Sequence, residues 1–213
     1  MNHQLLEEIS LKLQNGKTKD IKTLVPKALE EGIPAKDILN DGLLAGMSVV
    51  GVKFKNNEIF VPEVLIAARA MKAGAEILKP HLVAGDVKPV GKVILGTVRG
   101  DFHDIGKNLV KMMMEGNGLE VIDLGVDVAP EAFVSAAKEQ NADIIACSAL
   151  LTTTMAEMKN VVDLCVAEGI RENVKIVIGG APITDEYCKE IGADAYTSDA
   201  ATAAEIAVSL LAS

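Results

Sequence analysis

The sequence predicts an α/β protein in two parts: an N-terminal four-helix bundle, then a domain built on a five-stranded parallel sheet. Three observations predict it. Apolar residues recur with a helical period through the first 80 or so positions. After a proline- and glycine-containing break, the period changes to short apolar strands alternating with helical stretches. Hydrophobic residues make up 49% of the 213 positions, yet there is no Trp and only two Tyr and four Phe. The core must therefore be built from Ala, Val, Ile, Leu and Met.

Leu5, Leu6, Ile9 and Leu13 mark the first helix. Ile21, Leu24, Val25, Ala28 and Leu29 repeat at i, i+3, i+4, i+7 and i+8, and Gly32 stops the second. Pro34 opens the third, with Ile38, Leu39, Leu43, Met47 and Val50 on one face, and Pro62 the fourth, carrying Val64, Ala68, Met71, Ala75 and Leu78. Four amphipathic helices make a small bundle. Pro80 and the stretch Ala84-Gly85-Asp86-Val87-Lys88-Pro89 break the pattern, so the expected domains are residues 1–88 and 89–213. Strands are expected at Lys92–Val98, Glu120–Leu124, Asp143–Ala149, Lys175–Ile178 and Ala195–Thr197. Strands alternating with helices at this spacing imply a parallel sheet with right-handed crossovers, hence a Rossmann-like or flavodoxin-like domain.

Charge narrows the function. The net charge is −9, and residues 91–213 carry 9 basic against 19 acidic groups. Neither nucleic acid nor an anionic membrane is expected as a partner, since both require a basic footprint. No signal peptide or membrane-length apolar run is visible, and Cys147, Cys165 and Cys188 lack metal-type spacing. A cytoplasmic protein with buried, reduced thiols is expected.

The chemistry gathers in Gly100-Asp101-Phe102-His103-Asp104-Ile105-Gly106, between the first strand and the helix-like run from Lys107. Open α/β sheets bind ligands at such strand-to-helix turns. Histidine is the commonest metal ligand, and a neighbouring carboxylate fixes its tautomer. Two further loops should converge there: Ser148-Ala149-Leu150-Leu151-Thr152-Thr153-Thr154 after the third strand, and Gly179-Gly180-Ala181-Pro182 after the fourth. Neither G-x-G-x-x-G nor a P-loop occurs, and no serine or cysteine sits in a nucleophile elbow. A protein-only metal centre needs three or four ligands, but the other histidines are only His3 and His81, far from the motif. A metal bound by His103 must bring its remaining ligands with it, as a macrocycle does.

Asp101-x-His103-x-x-Gly106, Ser148-x-Leu150 and Gly179-Gly180, in that order behind a four-helix segment, resemble the cobalamin-binding signature of methionine synthase and of small corrinoid proteins from methyltransferase systems. The resemblance covers essentially the whole chain. It implies cobalamin as cofactor, as methylcobalamin when loaded, with His103 as the lower axial ligand of cobalt. Asp101 would bond the other imidazole nitrogen, with Thr154 extending the relay. Gly100, Phe102, Asp104, Ile105 and Gly106 would line the cofactor around His103. Ser148 and Thr152 would meet the cofactor's nucleotide tail, Leu150 would bind the cofactor as part of the same motif, Gly179 and Gly180 would line the slot, and Ala200 its far end. Asp104 is also expected to cap the helix starting near Ile105. In the helical cap, Phe54 (expected between two helices), Val61 and Leu65 would cover the upper corrin face, and Asn40 would touch the cofactor. Without the resemblance, these apolar residues fit a bundle interior.

The implied function is a methyl carrier that does not turn over alone. A substrate-specific methyltransferase would load it, a corrinoid-to-acceptor methyltransferase would unload it, and a reductive activator would rescue Co(II). His103 would leave cobalt on reduction, and the segment Ala84–Pro89 would serve as a hinge for the cap. Rival readings are an adenosylcobalamin-binding subunit, a cobalamin-sensing domain, or a cofactor-free signalling domain with Asp101 and Asp104 as an acidic pocket.

Overall fold

The computed structural model describes residues 2–81 and 89–212. The chain divides into two compact units, Met1–Lys88 and Pro89–Ser213. The hinge expected at Ala84–Pro89 lies, except for Pro89, outside the described residues.

The first unit is helical: α1 (Asn2–Gln14), α2 (Thr18–Glu30), a short α3 (Ala35–Asp37), α4 (Ala45–Lys55) and α5 (Val61–Leu78). Residues 38–44, between α3 and α4, form a π-helix, so the third expected helix is one helical path with a wide segment inside it. Packing against α1 and α5 selects it: Ile38 and Leu43, five apart, are both fully buried, and wider turns bring them closer to one face than α turns would. Beyond it, Met47 and Val50 continue the buried face with ordinary α spacing. Leu39, expected on that face, is only half-buried. Gly46 permits α1 to approach, because a Cβ there would lie 2.9 Å from the Ser10 carbonyl oxygen. α5 starts one residue before Pro62, and Glu63 caps it by accepting from the Phe60 N–H at 3.0 Å.

The second unit holds β1 (Lys92–Thr97), β2 (Glu120–Asp123), β3 (Ile144–Ser148), β4 (Lys175–Gly179) and β5 (Ala195–Thr197), all parallel in the order β2-β1-β3-β4-β5. That is the flavodoxin-like order, with its switch point between β1 and β3. α6 (Ile105–Gly116) and α10 (Ala200–Leu211) pack together on one face, and α7 (Pro130–Gln140), α8 (Ala156–Ala167) and α9 (Asp185–Ile191) form the other layer. Burial on both faces explains why β1, β3 and β4 read as continuous apolar runs. Phe133 of α7 presses onto β1, where a Cβ on Gly96 would lie 2.8 Å from the ring. The three cysteines are free and buried. Among the described residues no helix is long and apolar enough to cross a membrane.

Candidate functional site

The switch point places the turn after β1 beside the loop after β3. Register sets this: Thr97 at the end of β1 pairs with Ser148 at the end of β3, and Ser148 pairs with Gly179 at the end of β4. All three expected loops therefore leave the sheet at one level.

Asp101 is the centre of the arrangement. It is fully buried, and both carboxylate oxygens are occupied. Oδ1 faces His103, 2.7 Å from ring Nδ1 and 3.1 Å from the backbone N–H. Oδ2 accepts from the N–H groups of Leu150 (2.7 Å) and Leu151 (3.2 Å) and from Thr154 Oγ1 (2.8 Å). Burial works to raise its pKa, but the bonds from His103, Leu150 and Thr154 outweigh it and hold the carboxyl well below the usual range. An ionised carboxylate can only accept, so Nδ1 donates to it, and Nε2 is the nitrogen left for a ligand. The His103 side chain is 51% exposed, so Nε2 belongs to a ring open to a ligand. Thr154 is itself buried, and its single hydroxyl proton also has the Leu151 carbonyl at 3.0 Å as a longer alternative.

Phe102 and Ile105, one residue before and two after His103, are 68% and 80% exposed, so the turn presents apolar side chains to solvent beside the imidazole in sequence. A Cβ added at Gly106 would meet nothing within 4 Å. Asp104 stands at the N-cap position of α6 but makes no capping bond; its carboxylate instead accepts from the Asn108 side chain at 3.1 Å. The capping role expected for Asp104 is therefore corrected.

Of the other expected residues, Leu150 and Thr152 are exposed on the β3 loop, and Ser148 is half-buried at its base. Gly180 meets that same loop, since a Cβ there would lie 1.8 Å from the Ala149 carbonyl oxygen. Gly179 lies against Thr197, and Ala200 is buried at the start of α10. In the helical unit, Asn40 is exposed in the π segment. Phe54 lies half-buried in the last turn of α4, which corrects its expected place between two helices. Val61 and Leu65 are exposed on the first turns of α5, so neither belongs to the bundle interior.

Sequence reasoning missed two supports. Thr97 Oγ1 donates to the His103 carbonyl at 2.8 Å and fixes the turn from below. Lys107 is buried and donates to both oxygens of Asp123, at 2.6 and 2.7 Å, at the end of β2. A lysine in the first turn of an apolar helix, with an aspartate ending the next strand, was the available signal.

Chemically, the turn offers one imidazole nitrogen, exposed apolar side chains and room over Gly106. Among the described residues no three His, Cys, Asp or Glu side chains gather to hold a metal. This donor set would fit a metal whose other ligands come from a macrocycle such as a corrin, and does not fit a bare ion.

The fold and this turn together define a flavodoxin-like α/β domain whose switch point presents a half-exposed imidazole held by a buried carboxylate. Two models described as "B12 binding domain" match the chain, one over residues 91–208 and the other over residues 5–79. The chain belongs to this B12-binding family. It is 44% identical over 209 residues to dimethylamine corrinoid protein 2 of Methanosarcina acetivorans, covering 98% of this chain and 96% of the relative. The crystal structure of the methanol:cobalamin methyltransferase complex MtaBC from Methanosarcina barkeri matches with TM-score 0.88 and 32% identity, over 98% of this chain and 80% of that one. A cobalamin-binding protein from Desulfitobacterium hafniense matches with TM-score 0.81 and 32% identity, over 96% of this chain and 98% of that one.

Proposed function

We propose that this chain is a cytoplasmic corrinoid carrier subunit: it holds cobalamin through His103 and shuttles a methyl group between two methyltransferases. One observation carries the residue assignment: Nδ1 of a half-exposed histidine is pinned at 2.7 Å by a fully buried carboxylate, which leaves Nε2 as the outward nitrogen. The family supports the cofactor. The dimethylamine and methanol systems named among its relatives support a methylated amine or alcohol as donor, delivered by a substrate-specific partner.

When bound, the corrinoid supplies a cobalt that accepts a methyl group as a nucleophile and releases it to a second acceptor. The chain's own residues do the rest. His103 offers Nε2 in one orientation, because Asp101 Oδ1 fixes the ring. Asp101 would hold the proton on Nδ1 whether or not Nε2 is engaged by the metal. Thr154 and the two leucine N–H groups keep the Asp101 charge in place. Gly100, Phe102, Ile105 and Gly106 would lie against the corrin, with Asp104 at its edge. Ser148, Leu150, Thr152, Gly179, Gly180 and Ala200 would line the path of the nucleotide tail. Asn40, Phe54, Val61 and Leu65 would serve the upper face, excluding water from the methyl group.

Two measurements test this reading. His103→Ala should abolish the absorption bands of nitrogen-ligated cobalamin while the reconstituted protein still binds cofactor; an unchanged spectrum would refute the axial assignment. Gly106→Ala should leave the cofactor-free protein as stable as the parent or up to about 1 kcal/mol more so, since alanine favours helix and meets no neighbour. Its cobalamin affinity should nevertheless fall at least tenfold by equilibrium titration. Wild-type affinity would show that the corrin does not lie over this turn. Methyl transfer to the protein from dimethylamine or methanol, each with its own methyltransferase, identifies the donor.

A further inference from the structure

We propose that Asp127 is a positioning residue for the His103–Asp101 pair, clamping from the loop after β2 the peptide that carries Asp101. Asp127 closes a two-bond ring on that peptide. Its Oδ1 accepts from the Gly100 N–H at 2.7 Å, and its own N–H donates to the Asp101 carbonyl at 3.0 Å. Both ends of the Gly100–Asp101 segment are thereby tied to one residue of a neighbouring strand's loop. The Asp101 carboxylate is held from the other side, by the loop after β3. Asp101 is thus fixed by its backbone from β2 and by its side chain from β3.

Backbone conformation singles Asp127 out. It has φ +54°, a left-handed conformation that L-residues adopt at a cost. A turn that needed only positive φ would be served by glycine, as Gly125 does two residues earlier in the same loop with φ +87°. Asp127 is exposed, so packing does not demand the side chain either. What aspartate adds over glycine here is the acceptor on Gly100. The loop is otherwise tied to the same turn: Thr97 N–H donates to the Gly125 carbonyl, Val128 N–H donates to the Thr97 carbonyl, and Thr97 Oγ1 supports His103. Observed strain at a residue that makes a specific pair of bonds next to a site is grounds for assigning it a role there.

The inference rests on the reading of His103 as the axial ligand, and the test separates the two. Asp127→Gly keeps the favoured φ and the backbone N–H but deletes the acceptor; Asp127→Asn keeps the acceptor and tolerates the conformation while removing the charge. Each is reconstituted with cob(II)alamin, and the fraction of cobalt carrying an axial nitrogen is read from the EPR splitting. Cofactor-free samples report the His103 ring-nitrogen shifts and the hydrogen exchange of the Gly100 amide. Asp127→Gly should lower the ratio of ligated to unligated cobalt about fivefold, the weight of one ordinary hydrogen bond. It should also speed Gly100 exchange and move the ring shifts, and Asp127→Asn should restore all three. Unchanged ligation and ring shifts in Asp127→Gly would overturn the proposal. So would a loss that tracks melting temperature and is not restored by asparagine, because that is the signature of a merely structural residue. If the wild type shows no axial nitrogen from His103, the ligand reading fails instead, and the ring shifts and Gly100 exchange of the cofactor-free protein still decide the clamp.

Discussion

Replacing Lys107 with alanine should lower the melting temperature of the Pro89–Ser213 unit by on the order of 10 °C. The Lys107 side chain is 2% exposed and its ammonium bridges both oxygens of Asp123 while also donating to Asn108 Oδ1 at 2.9 Å. Burial alone would raise the Asp123 carboxyl, but the Lys107 hydrogen bond reverses this and holds it below its ordinary value. Deleting one partner of a buried pair strands the other charge, at a cost of about 3–5 kcal/mol. Lys111, 3.4 Å from the same carboxylate, relieves part of that, so the lower end applies. The double variant Lys107→Met with Asp123→Leu should recover most of the loss, because the intact pair offsets its own desolvation. Thermal unfolding followed by circular dichroism reads both. A single variant as stable as the parent would show that the pair is not held out of water.

Gly180→Ala should be at least as damaging, by about 4 kcal/mol or more. Its Cβ would have to occupy a point 1.8 Å from the Ala149 carbonyl oxygen, and φ is +134°. The obstacle is backbone, so no side chain can swing aside. Relief requires moving the Ala149 peptide, which leads directly into the Leu150 and Leu151 N–H groups that hold Asp101. Soluble yield and denaturant midpoint should fall, and cobalamin binding should fall with them. Gly179→Ala is the control: its nearest atoms are the Thr197 carbonyl oxygen at 3.1 Å and Oγ1 at 3.2 Å, and a shift of a few tenths of an ångström accommodates them. Equal stability of the Gly180→Ala variant and wild type would mean that β3 and β4 do not approach so closely.

Much of the fold was legible because its signals are local. The apolar runs that became β1, β3 and β4 are continuous since both faces of those strands are covered, and the helices between them carry their own period. The π segment was not legible: Ile38, Leu43, Met47 and Val50 satisfy a loose helical pattern, and only packing against α1 and α5 selects the wide turn. Asp104 shows the same limit. An aspartate before a helix has the composition of a cap, but Asn108 four residues on competes for its carboxylate and takes it.

By itself, the sequence determined the α/β class, the change of period between the two parts, and the pairing of Asp101 with His103, which are two residues apart in one turn. Tertiary structure decided what reaches that pair. Thr154 comes 53 positions after Asp101 and meets it only because β1 and β3 are neighbours in register. Lys107 finds Asp123, and Asp127 finds Gly100, because β2 lies on the other side of β1. Turn and helix preferences act over a few residues, whereas strand order and register are properties of the whole packed sheet, and they bring up the groups that hold Asp101 against His103.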